Sequence, residues 1–168
     1  LIASAAVLAI AGLTLYAIDL IFLYRNRKRR RIELNVKAAS GALAALYVAT
    51  VLLVVAAARG KLDVQAGAIV YLVAFGWLSG LGLSQLYKIV PFLTWLECYG
   101  PIMGRRPTPR VQDLIVEQRD GPWFMLYFAG VAAGTGALLA ETPTVFRAAV
   151  ATTLVAVIAI VAELVLAR

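Results

Sequence analysis

The chain has 168 residues, 62% of them hydrophobic and 15% charged, with Lys+Arg 16, Asp+Glu 9 and no histidine. A soluble domain is ordinarily about 45–50% apolar and about 25% charged, so water is not the main solvent of this surface. With one cysteine, two methionines and no histidine, the usual haem ligation, a His/Cys zinc site, a Cys redox pair and a Ser-His-Asp triad all lack their residues, and no cofactor or catalytic activity is expected from this chain alone.

The composition predicts an all-α, polytopic integral membrane bundle of about five transmembrane helices forming one membrane domain, since about 20 apolar residues cross a hydrocarbon core of roughly 30 Å. The first span is expected over residues 1–24. It has neither a basic leading region nor an A-x-A site followed by polar sequence, so it does not read as a cleavable signal. Because the chain opens on Leu1 rather than methionine, residues upstream of it are expected.

A dense basic run follows: Arg25, Arg27, Lys28, Arg29, Arg30 and Arg31. Basic residues between hydrophobic runs are topology signals rather than the basic face of a nucleic-acid-binding domain. The same run suits anionic lipid headgroups, at about 1 kcal/mol per basic residue. The second span is expected over 36–58, ending at Arg59-Gly60-Lys61, a short turn that forces an antiparallel neighbour.

The third apolar stretch runs from about residue 64 to Leu96, too long for one straight crossing. Pro91 lies inside it. Proline lacks the helical N–H and clashes with the carbonyl of Tyr87, so a break near Tyr87 to Pro91 is expected, leaving a span over 64–90. Beyond it Phe92, Trp95, Leu96 and Tyr99 share one helical face, with Thr94, Glu97 and Cys98 on the other, the pattern of an interfacial segment; a tilted unbroken span is the alternative. A loop over 97–121, with Pro101, Pro107, Pro109 and a short amphipathic stretch, leads to spans over 122–140 and 148–167. Trp123, Phe124, Tyr127 and Phe128 open the first of these as an aromatic belt.

With the loops at 25–35 and 97–121 in the cytoplasm, twelve basic residues fall on that side against Arg59, Lys61 and Arg147 on the other. That bias predicts a bacterial inner membrane with the basic loops inside.

Gly76, Gly80, Ser84 and Lys88 recur every fourth residue, a stripe where another helix can approach closely. Gly130 and Gly134 form a second one. Lys88 ends the first stripe in a charge, which at membrane depth needs pairing, hydration or snorkelling. Its candidate partners are Asp19 and Glu163, both expected at about its depth, together with the carbonyl freed by Pro91. Cys98 has no histidine to act as its base and reads as an incidental thiol.

The stretch Gln85-Leu86-Tyr87-Lys88-Ile89-Val90-Pro91-Phe92-Leu93-Thr94-Trp95-Leu96-Glu97, with the loop to Asp113-Leu114, resembles a segment of bacterial polytopic membrane proteins related to subunit I of haem-copper oxidases. The resemblance covers residues 85–114. It implies a histidine after Pro-Phe-x-x-Trp, where Glu97 stands. It therefore implies a respiratory-type membrane protein that has lost cofactor ligation, or whose cofactor another chain holds.

Two functions are open at this level. One is a non-catalytic subunit that packs with and scaffolds a larger, energy-converting membrane complex, its partners being other membrane subunits and anionic lipid. The other is a transporter or channel component with a pathway near Lys88, Asp19 and Glu163.

Overall fold

The structure is a computed structural model, which describes residues 2–27, 32–104, 106–115 and 117–166. Among these it is helical, and five helices are long and apolar enough to cross a membrane. They are α1 (Ile2–Arg25), α2 (Leu34–Ala58), a continuous third helix over Leu62–Ile102, α5 (Glu117–Leu139) and α6 (Pro143–Leu166). The third comprises α3 (Leu62–Tyr71), a π-helical stretch (Leu72–Ser79), α4 (Gly80–Tyr99) and a closing 3₁₀ turn (Gly100–Ile102).

The expected break at Pro91 is not there. Pro91 is buried in the interior of α4, and the helix continues through it to Tyr99. One missing N–H does not end a helix whose neighbours pack around the gap. Forty-one residues would span ~60 Å at 1.5 Å each, so the helix overshoots a hydrocarbon core of ~30 Å. The overshoot is held by the following loop: Trp95 donates its indole N–H to the Pro109 carbonyl at 2.6 Å. The expected interfacial segment is thus the last two turns of α4, and its two faces do not sort as expected, since Glu97 and Cys98 are exposed and Trp95 and Tyr99 half-buried. Thr94 is buried, while Phe92 and Leu96 point outward. The loop is shorter than expected as well, since α5 already begins at Glu117.

The irregularity of the third helix lies earlier, in the π-helical stretch. Its Phe75 carbonyl accepts the Gly80 N–H and also the Tyr127 hydroxyl of α5, at 2.5 Å. Such a widened turn presents a carbonyl sideways, and here a neighbouring helix occupies it.

Both small-residue stripes are packing seams. A side chain at Gly76 would meet Ala45 at 2.8 Å, and one at Gly80 would meet Phe128 at 2.9 Å and Ala42 at 3.5 Å. Ser84 is fully buried and returns its hydroxyl to the Leu81 carbonyl. These contacts press the third helix onto α2, whose Ala38, Ala42, Ala49 and Ala56 are all buried. On α5, a side chain at Gly130 would meet Thr153 Oγ1 at 2.5 Å and the α6 backbone at 3.2 Å, and one at Gly134 would meet the Tyr71 hydroxyl at 2.7 Å. The α5–α6 hairpin turns through Glu141 at φ 53°, and the α2–α3 turn through Gly60 at φ 63°.

α1 stands apart. It packs on α2, through Ala6, Ile10, Leu13, Thr14, Ala17 and Leu20, which recur on one helical face. No part of its apolar window is buried.

Candidate functional site

One end of the bundle gathers the start of α2, the end of α4, the loop residues 106–115, the start of α5 and the end of α6. Chain reversal at residues 59–61 and 140–142 places them together. Their charged residues interlock as a collar. Lys88 Nζ lies 3.6 Å from Glu33 Oε2, and Gln112 donates its amide to Glu33 Oε1 at 3.3 Å. The Leu34 N–H, one of the free donors of the α2 N-terminus, donates to Glu117 Oε1 at 3.4 Å. Arg119 forms an ion pair with Glu163 of α6.

Asp120 is the deepest charge of this collar, 1% exposed. It lies in the first turn of α5, where a carboxylate is favoured by the helix dipole. Tyr87 donates its hydroxyl to Asp120 Oδ2. The other oxygen, Oδ1, has no hydrogen-bond partner among the described residues, and Arg119 Nε is 3.7 Å away. Tyr87 is itself buried, with its ring edge-on to Phe124 at 5.5 Å between centroids. The pair therefore joins α4 to α5 inside a largely apolar setting.

A cavity of about 560 Å³ lies beside the collar, with Glu33, Asn35, Tyr87, Lys88, Gln112 and Glu117 as its polar walls and Ile89, Phe92, Val111 and Ile115 among the apolar ones. A second groove, about 800 Å³, lies between α2 and α5, rimmed by Lys37 and Glu117 and floored by Leu34, Phe124 and Phe128. Among the described residues, no three Cys, Asp or Glu side chains are grouped so as to hold a metal ion.

The three residues singled out as an intramembrane cluster do not meet. Lys88 pairs with Glu33, and Glu163 pairs with Arg119. Asp19 is exposed on α1 and has no ion pair with another described residue. Lys88 and Glu163 do share the level of the collar but belong to different pairs, and Asp19 is the one at another depth. Thr14 lies against Tyr47, hydroxyl to hydroxyl at 3.4 Å, so in antiparallel register Asp19 stands level with Ala42. Ala42 in turn lies against Gly80, eight residues before Lys88. Of the basic run, Arg25 closes α1 and Arg27 stacks over Tyr24 at 5.4 Å, while Lys28, Arg29, Arg30 and Arg31 lie outside the described residues. Asp120 went unnoticed because it sits among the polar residues of what reads as a loop. Its available signal was position, directly before Gly121-Pro122 and the aromatic belt.

Comparison with protein-family models, with curated proteins and with solved structures finds no match.

Proposed function

We propose that this chain is a non-catalytic integral membrane subunit that packs against and scaffolds a larger membrane complex, with its polar collar at the cytoplasmic face of a bacterial inner membrane. The observation that carries this reading is α1. A membrane helix of 24 residues that packs mainly on α2 among the described residues and has no buried window is poorly fixed by its own chain. It becomes well packed when another protein covers it. The collar fits a structural part: its contacts tie α2 to α4 and to α5, α4 to α5, and α5 to α6 at one end of the bundle.

The transporter reading has less support. Lys88 and Glu163 are held in different pairs of the collar and Asp19 lies apart on α1, and the interior beyond the collar is filled by Ala42, Ala49, Ala56, Val131 and Ile160, all at most 2% exposed. The resemblance of residues 85–114 to haem-copper oxidase relatives is compatible with a scaffold whose partner carries the redox centre. Isolation of the native assembly in a mild detergent tests the proposal. Co-purification of defined membrane subunits in fixed ratio is the expected result; a chain that elutes alone, and that moves a solute in reconstituted vesicles, overturns it.

A further inference from the structure

Asp19 is the one charged residue between residues 2 and 24, and α1 turns it away from its own bundle. The α2-facing stripe of α1 centres on Ile10 and Ala17, and Asp19 lies on the opposite side, in line with Leu8, Gly12 and Leu15 at helical spacing. Leu8 and Leu15 are 71% and 63% exposed, and nothing lies within 4 Å of where a side chain at Gly12 would stand.

Depth makes this placement informative. Asp19 is level with Ala42 and Gly80, nine residues from Glu33 and eight from Lys88 of the collar pair. Eight residues at 1.5 Å each place it ~12 Å farther in than the collar. A carboxylate on a single methylene cannot snorkel as a lysine does. Ionisable groups at such depth ordinarily face protein or water, and they are paired.

We infer that the outward face of α1 is the seat of a transmembrane helix from a different protein, which approaches closely at Gly12 and presents a lysine or arginine at the depth of Asp19. Charge decides against a second copy of this chain. Across a twofold axis along the membrane normal, Asp19 would meet Asp19. No cation of α1 lies at that depth, and the nearest on α2, Lys37, is five residues nearer the collar. The inference rests on the scaffold reading and adds the partner's chemistry.

The test is photo-crosslinking in native membranes, with a benzoylphenylalanine probe at Leu15 and a control probe at Ile158 on the exposed face of α6. The expected result is a Leu15 adduct with a foreign polypeptide whose linked peptide holds a lysine or arginine within an apolar stretch. Its yield should fall by about thirty-fold in Asp19→Leu, the low end for removing one partner of a buried charge pair. Asp19→Glu should retain it. Adducts with lipid or a second copy only, or a yield indifferent to Asp19→Leu, overturn the inference. If foreign adducts then form at Ile158, the scaffold reading survives without this seat. Release of the chain from membranes by alkaline carbonate defeats the membrane reading itself.

Discussion

Tyr87 on α4 donates its hydroxyl to the carboxylate of Asp120, fastening the long third helix to the first turn of α5 across 33 residues of chain. Neither residue is exposed, so each satisfies a group that would otherwise be buried without a partner. The hydrogen bond is as much a consequence of where α5 begins as of either side chain. Had α5 started at Pro122, Asp120 would have remained in a solvated loop.

Removing one partner of this bond should therefore cost more than the bond itself contributes. Tyr87→Phe is expected to lower stability by about 1–3 kcal/mol, the penalty for stranding a buried polar group. Asp120→Asn should cost less, because the amide oxygen still accepts. Unfolding in detergent followed by size-exclusion chromatography after heating measures both. Equal losses from the two variants would mean that Asp120 acts through charge rather than by accepting the Tyr87 proton.

Lys88 should behave differently. Its side chain is 63% exposed and that of Glu33 35%, so Lys88→Met is expected to change stability by ~0–1 kcal/mol, the range for exposed ion pairs. A double-mutant cycle should show weak coupling of Lys88 to Glu33 and none to Glu163 or Asp19. Coupling above about 1 kcal/mol between Lys88 and Glu163 would contradict the contacts described above.

The glycines of α5 provide a paired comparison. At Gly130 a methyl group would press on Thr153 and on the backbone of α6, 3.2–3.3 Å away, whereas at Gly136 nothing lies within 4 Å. Gly130→Ala is expected to destabilise by about 1–3 kcal/mol through forced separation of α5 and α6. Gly136→Ala should be neutral or stabilising by up to about 1 kcal/mol, because alanine loses less backbone entropy in a helix. Thermal stability of the two variants side by side checks the sign of each.

Much of this architecture is legible in the sequence, because apolar length and punctuation are local signals. Arg59-Gly60-Lys61 ends one helix and starts the next, and the four-residue recurrence from Gly76 to Ser84 marks a seam that α2 fills. What stays illegible depends on partners far along the chain. Pro91 predicts a break only if nothing packs around it, and the π-helical stretch is held by Tyr127, 52 residues after Phe75. The Lys88 pairing was out of reach for the same reason. Glu33 precedes α2 by a single residue, and its depth follows from the register of α2 against α4, which apolar periodicity does not encode. Asp19 reads in the sequence only as a candidate partner of Lys88, and its outward direction requires knowing which face of α1 meets α2.

Cys98 gives access to sidedness. It is the sole cysteine, exposed near the end of α4, on the end of the bundle that carries the collar. If the basic loops are cytoplasmic, as the excess of lysine and arginine at this end argues, an impermeant maleimide should leave Cys98 unlabelled in intact cells and label it in inverted membrane vesicles. A cysteine introduced at exposed Gly60 in a Cys98→Ser background should show the reverse, although the left-handed backbone there makes the substitution mildly strained. Labelling of Cys98 from outside would invert the orientation. The collar would then face the outer surface, and Asp19 would still lie ~12 Å farther into the membrane than that face, since this offset is fixed by helix register rather than by topology.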